Sequence, residues 1–175
     1  MRVRPLAEAV GARVSDVDVR KLTSEEVVQL DHAWAAHEVL FFRDQELIPA
    51  DHIAFAERFA PIEVNRFFAT VDGHERIAEV RKKPDDEHNI GGGWHTDHSY
   101  DLAPARGSIL VARDLPATGG DTRFLSTTYQ FTWKPGSIAM WDNRSTWHWA
   151  LNDYPGQGRL MHRITVQGEA LHPAT

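Results

Sequence analysis

The chain has 175 residues, 42% of them hydrophobic and none of them cysteine, enough for one domain around one core and incapable of disulfides or thiolate metal sites. Its 25 acidic against 19 basic side chains, a formal net charge of −6, provide no broad positive field for nucleic acid or anionic lipid. No stretch approaches the ~20 apolar residues that span a bilayer, and "MRVRPLAEAVGARVSD" lacks the apolar run of a secretory signal, so a cytoplasmic location is expected.

In chain order, "ARVSDVDV" (Ala12 to Val19) alternates apolar and polar residues with period two and predicts a half-buried strand. In "LTSEEVVQLDHAWAAHEV", Thr23 followed by Glu26 forms a capping-box signature ahead of Val27, Leu30, Ala33, Trp34 and His37 at helical spacing. "VLFF" (Val39 to Phe42) is a short apolar run ended by "RDQ" and reads as a buried strand, and "PADHIAFAERFAP" as a second, shorter helix with Ile53, Ala56, Phe59 and Ala60 on one side. From Ile62 onward the runs become short and β-like, "IAEVR", "GSILVA", "DTRFL", "YQFTW", "SIAMW" and "RLMHRITVQG", without helices between them. Such spacing predicts a mainly β fold with flanking helices, an antiparallel sandwich or jelly roll. One domain over 1–175 is expected, helical over about 1–60 and jelly roll over about 61–175.

The stretch "GGGWHTDHSY" (Gly91 to Tyr100) holds two histidines and a carboxylate within four positions. On a strand, residues two apart share a face, so His95 and Asp97 would project together as half of a metal site. Two histidines and one carboxylate are the face that leaves positions open on non-heme Fe(II). His148, between Trp147 and Trp149, is the candidate second histidine, although a lone histidine among aromatics is more often a packed core residue. With ten histidines in the chain, an H-x-D triplet alone is also a weak signal. Arg159 and Arg163 in "RLMHR" lie an even number of residues apart, so on a strand both point with Met161 to one face; two guanidiniums aimed into a pocket suit carboxylates.

The segments "GARVSDVDV", "HEVLFFRDQ", "ERFAPIE", "WHTDHSY", "ARDLPATGGDT", "PGSIAMWDNRSTWHWALNDY" and "RLMHRITVQG" run over nearly the whole chain. In them the chain resembles the taurine dioxygenase group of Fe(II)/2-oxoglutarate-dependent oxygenases, which includes alkylsulfatases and aryloxyalkanoate-degrading enzymes. Arg159 follows His148 by 11 positions, as the carboxylate-binding arginine of that group follows its second histidine. The resemblance implies a double-stranded β-helix in which His95, Asp97 and His148 hold Fe(II), and Arg159 with the Thr122 hydroxyl grips the distal carboxylate of 2-oxoglutarate. Arg163 would take the anionic end of the substrate or the near carboxylate of the cosubstrate, and O2 would be the oxidant. Asp97 implies oxygenation rather than halogenation, since iron halogenases of this type lack the carboxylate.

Two departures qualify the resemblance. Members of the group are longer, with extra chain between "GGDT" and the strand before "PGSIAMWDN", whereas "DTRFLSTTYQFTW" joins these landmarks almost directly. Either a central segment has been lost or an unordered stretch between Thr122 and Tyr129 is absent from these residues; the second is the expectation, because loss should leave the fold poorly closed. In taurine-specific relatives a histidine and a tyrosine grasp the sulfonate, where this chain has Asn65, Arg66, Phe67 and Phe68, and Gly91 stands where they carry a polar residue. Taurine is therefore disfavoured; Asn65, Phe67, His98 and Arg163 are candidates for a larger anionic organic substrate, a sulfonate, alkyl sulfate or aryloxy carboxylate. Two rivals remain on the sequence: a cupin-like Zn or Mn enzyme, which leaves Arg159 and Thr122 unexplained, and a non-enzymatic jelly-roll binding module. A homo-oligomer is left open.

Overall fold

The computed structural model describes residues 1–6, 10–125 and 129–170. Strands β1 (Arg2–Pro5) and β2 (Ala12–Ser15) pair antiparallel. The alternation beginning at Ala12 ends sooner than expected: Asp16 adopts φ of 57° and a 3-10 turn, Val19–Lys21, follows. The Asp18 carboxylate accepts the Arg20 backbone N–H at 3.0 Å, the local bond by which aspartate competes with a strand ladder. Helix α1 (Ser24–His37) starts on the expected capping box, the Thr23 hydroxyl accepting from the Glu26 N–H and the Glu26 carboxylate from the Thr23 N–H. It buries Leu30 and Trp34. Strand β3 (Val39–Phe42) and helix α2 (Pro49–Glu57) follow as predicted.

The remainder is sheet: β4 (Ile62–Glu63), β5 (Thr70–Val71), β6 (His74–Lys82), β7 (Gly107–Asp114), β8 (Thr122–Leu125), β9 (Tyr129–Phe131), β10 (Ile138–Asp142), β11 (Trp147–Ala150) and β12 (Arg159–Val166). The larger sheet runs β1-β2-β3-β10-β7-β12-β6-β5 with β4 added on β12, and the smaller runs β11-β8-β9. All pairs are antiparallel except β2 with β3. The N-terminal strands thus extend the large sheet.

Period-two alternation divides the core between two layers. Leu40 and Phe42, Ile109 and Val111, and Ile138 and Met140 face the helices beside Trp34 and Phe55. Their neighbours Val39, Phe41, Leu110, Ala139 and Trp141 face the smaller sheet, packing on Phe124, Phe131 and Trp133. Strands covered on both faces read as continuous apolar runs, which is why "VLFF" (Val39 to Phe42) and "IAMW" (Ile138 to Trp141) carry no hydroxyl, amide or charged side chain. Gly107 opens β7 where a Cβ would lie 2.2 Å from Trp34 Cζ2, so only glycine admits the indole.

The expected unordered stretch between β8 and β9 is corrected: the full sequence passes from Thr122 to Tyr129 with nothing left out. The strands pair directly, Thr122 with Phe131 and Phe124 with Tyr129, while residues 126–128, which join them, lie outside the described residues. Asp121 secures the pair, its carboxylate accepting from Gln130 Nε2 at 2.7 Å and from the Thr132 hydroxyl at 2.9 Å. With Phe124 and Phe131 at 0% and 1% exposure, the interior of the sandwich is closed, so loss of the segment does not leave the core open. At the rim near Gly91 to Tyr100, large apolar side chains stand open to solvent: Phe67 and Tyr100 are each 64% and Leu102 is 95% exposed.

Candidate metal centre

Three side chains from two distant parts of the chain converge at the mouth of the sandwich. His148 lies on β11; His95 and Asp97 lie in the segment after the three glycines, which is not the regular strand expected. A single antiparallel bridge pairs His95 with His148, the His95 N–H donating at 3.1 Å and the His148 N–H at 2.9 Å. That bridge, rather than strand periodicity, sets the two imidazoles side by side, ring centroids 4.2 Å apart. The glycine run permits the approach: Gly91 has φ of +76°, and a Cβ there would lie 2.9 Å from His95 Cε1.

One donor atom from each of His95, Asp97 and His148 lies within 4.8 Å of the others. His95 Nε2 is 3.9 Å from Asp97 Oδ1, and His148 Nε2 is 3.7 Å from Asp97 Oδ2. His95 Nδ1–H donates to the Gly93 carbonyl at 2.8 Å, which leaves the Nε2 lone pair for a cation, as metal-bound histidines are usually held. Burial pushes His148 down to about 4, so it is a neutral imidazole, the form that ligates, well below neutral pH. Burial raises the Asp97 carboxyl, but Arg163, His148 and His95 outweigh it and hold the group below its ordinary value. Arg163 is the partner in direct contact, its Nη1 donating to Asp97 Oδ2 at 3.1 Å. Two imidazoles and an ionised carboxylate fit a first-row divalent ion.

Arg159 and Arg163 both come off β12 into the interior, as their spacing predicts, and both line a cleft with His95, His148 and Thr122. Arg159 is 5% exposed, and its Nε and Nη2 have no hydrogen-bond partner among the described residues. A buried unpaired guanidinium is costly, and a bound carboxylate would satisfy it. The Thr122 hydroxyl oxygen accepts from Trp133 Nε1 at 3.0 Å, leaving its own proton for an anion. A 2-oxo dicarboxylate therefore fits the residues present.

Outside this cleft a cavity of about 450 Å³ is lined by Asn65, Phe67, Phe68, His98, Tyr100 and Arg163 among others. Every candidate substrate residue borders it. His98, at φ of 58° and 6% exposed, has both ring nitrogens engaged: Nδ1–H donates to Asp101 at 3.0 Å and Nε2 accepts from Asn65 at 3.4 Å. Glu63, His98 and Asp101 form a second group with metal-ligand spacing, but these bonds occupy the imidazole. Of three further neighbours of the site, Phe68 belongs to the run already singled out after the second helix, whereas Trp141 and Ser108 escaped the sequence reading. Phe68 lies under the Arg163 guanidinium at 4.6 Å, Trp141 packs on His148 with ring centroids 4.8 Å apart, and Ser108 reaches Asp97 at 3.2 Å. A lone serine at an inward position of the apolar run "GSILVA" was the available signal.

Comparison with known proteins agrees with this geometry. The profile of the family described as "Taurine catabolism dioxygenase TauD, TfdA family" matches residues 2–128 and 126–165, two stretches that meet at the β8–β9 connection. A (S)-phenoxypropionate/alpha-ketoglutarate-dioxygenase from Sphingobium herbicidovorans is 32% identical over 125 residues, 70% of this chain and 44% of the relative. An alkylsulfatase from Acinetobacter baylyi is 23% identical over an alignment of 274 residues covering 97% of this chain and 86% of the relative. That alignment is longer than the chain itself, so the relative carries a long segment with no counterpart here. The chain spans about half the length of most of the curated relatives it matches. The crystal structure of a taurine dioxygenase from Burkholderia xenovorans superposes with a TM-score of 0.82 at 25% identity, covering 98% of this chain and 93% of that one. A second crystal structure from the same organism gives 0.86 at 23% identity, covering 98% and 94%. The fold is thus the double-stranded β-helix.

Proposed function

Because the chain belongs to the taurine catabolism dioxygenase TauD, TfdA family, we propose that it is an Fe(II)- and 2-oxoglutarate-dependent dioxygenase that hydroxylates a small anionic organic substrate, releasing succinate and CO2. The observation that carries the reading is Arg159, buried with two nitrogens unpaired in the cleft it shares with His95 and His148. A cupin-like hydrolase leaves that cation unexplained, whereas a dicarboxylate cosubstrate accounts for it. When bound, the metal and the 2-oxo acid supply the oxidising chemistry, and the chain binds and orients the reactants.

In this reading His95, Asp97 and His148 are the metal ligands, Arg159 and Thr122 hold the distal carboxylate of 2-oxoglutarate, and Arg163 meets an anionic group from the outer cavity. Asn65, Phe67 and His98 border the substrate. Since both nitrogens of His98 are engaged, its part is to fix Asn65 and the cavity wall. The aromatic lining and the names of the relatives, a phenoxypropionate dioxygenase and an alkylsulfatase, favour an aryloxy carboxylate or alkyl sulfate over taurine. The shared large sheet supports a single domain over 1–175. No helix among the described residues is long and apolar enough to cross a membrane; a cytoplasmic setting is supported by the absence of cysteine, and lack of nucleic-acid binding by the negative net charge.

The test is succinate formation by the purified chain with Fe(II), 2-oxoglutarate and limiting O2, screened over sulfonates, alkyl sulfates and aryloxy carboxylates. Succinate should require Fe(II) and rise with one class of anion. Equal 2-oxoglutarate consumption without Fe(II), or by His148→Ala, would overturn the reading.

A further inference from the structure

The two oxygens of Asp97 are held unequally. Oδ2 receives Arg163 Nη1 at 3.1 Å and lies 3.2 Å from the Ser108 hydroxyl. Oδ1 has no hydrogen bond among the described residues and faces His95 Nε2 at 3.9 Å, whereas Oδ2, besides its two hydrogen-bond donors, lies 3.7 Å from His148 Nε2. Ser108 is fully buried at the start of β7, and its hydroxyl also lies 3.2 Å from Asn143 Oδ1, on a side chain 2% exposed whose Nδ2 has no partner. One hydroxyl proton cannot serve two acceptors. Turning over the Asn143 amide, which its shape permits, removes the conflict: Nδ2–H donates to Ser108, and the Ser108 proton goes to Asp97 Oδ2.

We propose that Asn143 and Ser108 are positioning residues that pin Oδ2 of Asp97 and leave Oδ1 as its one metal-binding oxygen. This rests on the metal site proposed above. Without the pin, the carboxylate could rotate and offer both oxygens to a bound metal, which would leave less room there for the cosubstrate and the oxidant. Arg163 alone is an inconstant pin, because an anionic substrate in the outer cavity competes for the same guanidinium. Ser108 and Asn143, both buried, are out of the substrate's reach.

The experiment is titration of the full chain with Co(II), read by visible absorption, which reports coordination number and geometry without turnover. Wild type should bind Co(II) and His148→Ala should not; binding that His148→Ala leaves intact defeats the metal site and this inference with it. Given a wild-type site, Ser108→Ala should weaken Co(II) binding about 10–100-fold and shift the spectrum. Asn143→Asp, close in volume, turns an acceptor toward Ser108, draws its proton away from Asp97 and should reproduce the same spectral shift. A disturbance of folding alone would lower thermal stability and leave the spectrum of the bound ion as in wild type. Unchanged spectra and affinities in both variants overturn the inference while leaving the metal site standing; if Ser108→Ala fails to fold, Asn143→Asp alone decides.

Discussion

Arg159 and Gly91 show how single residues set the terms of the site. Arg159 holds a charge in the interior with two nitrogens unpaired, a state whose cost a bound dicarboxylate would offset. Charge-assisted hydrogen bonds contribute about 1.5–3 kcal/mol, so Arg159→Ala should raise the 2-oxoglutarate concentration for half-maximal turnover by roughly 10- to 100-fold. Steady-state kinetics against 2-oxoglutarate would show it, and an unchanged requirement would remove the residue from the cosubstrate site. Gly91 acts on the metal through space alone: its φ of +76° disfavours any side chain, and a Cβ would press on His95 Cε1 at 2.9 Å. Gly91→Ala should therefore weaken metal binding, measured by Mn(II) titration, by at least about tenfold. Wild-type affinity would mean the imidazole can move aside freely.

Two local devices hold the framework. The capping box at Thr23 satisfies orphan N–H groups at the start of α1, so Thr23→Ala should lower the unfolding free energy by about 1 kcal/mol, read from urea unfolding with no change in metal affinity. At the β8–β9 pair the Asp121 carboxylate receives Gln130 and Thr132. Asp121→Ala would remove both bonds from the pair, and because Gln130 and Thr132 are exposed and can turn to water, the loss is about 0.5–1.5 kcal/mol for each. A lowered melting temperature is expected, together with weaker 2-oxoglutarate binding, because Thr122 is the next residue; wild-type stability would show that the pair does not depend on this carboxylate. The family match divides at this connection, and the direct pairing of β8 with β9 keeps Phe124 and Phe131 buried.

Across the whole molecule, several histidines fold in neutral form. Burial and the Arg113 charge push His52 down to about 3 and His162 down to about 4. His52 donates Nε2–H to the Ile109 carbonyl, and His162 accepts from Arg113 through Nδ1. An unfolded histidine titrates near 6.5, so below that pH the unfolded chain binds protons that the folded chain refuses. Stability from these groups is complete above about pH 6.5 and declines as pH falls toward 4, by about 1.4 kcal/mol per unit for each histidine that only the unfolded chain protonates. Urea midpoints of the metal-free protein should drop markedly from pH 7 to pH 5; a flat profile would contradict the neutral burial of His52 and His162.

Much of this was readable along the chain. Capping residues marked α1, apolar runs marked β3, β7 and β10, and the spacing of Arg159 and Arg163 placed both on one face of β12, because each signal depends on neighbours a few residues apart. The triad was legible as residues but not as geometry. His95 sits on a lone bridge instead of a strand, β11 was hidden in the aromatic run "WHWA", and Asp97 meets Arg163 across 66 positions of sequence. Ser108 looked like one polar residue in a buried strand until packing brought it to Asp97 and Asn143. Contacts of that range are fixed only when distant strands pair and the segment after the glycines settles beside them, since local propensity says which face a side chain takes and not what it will find there.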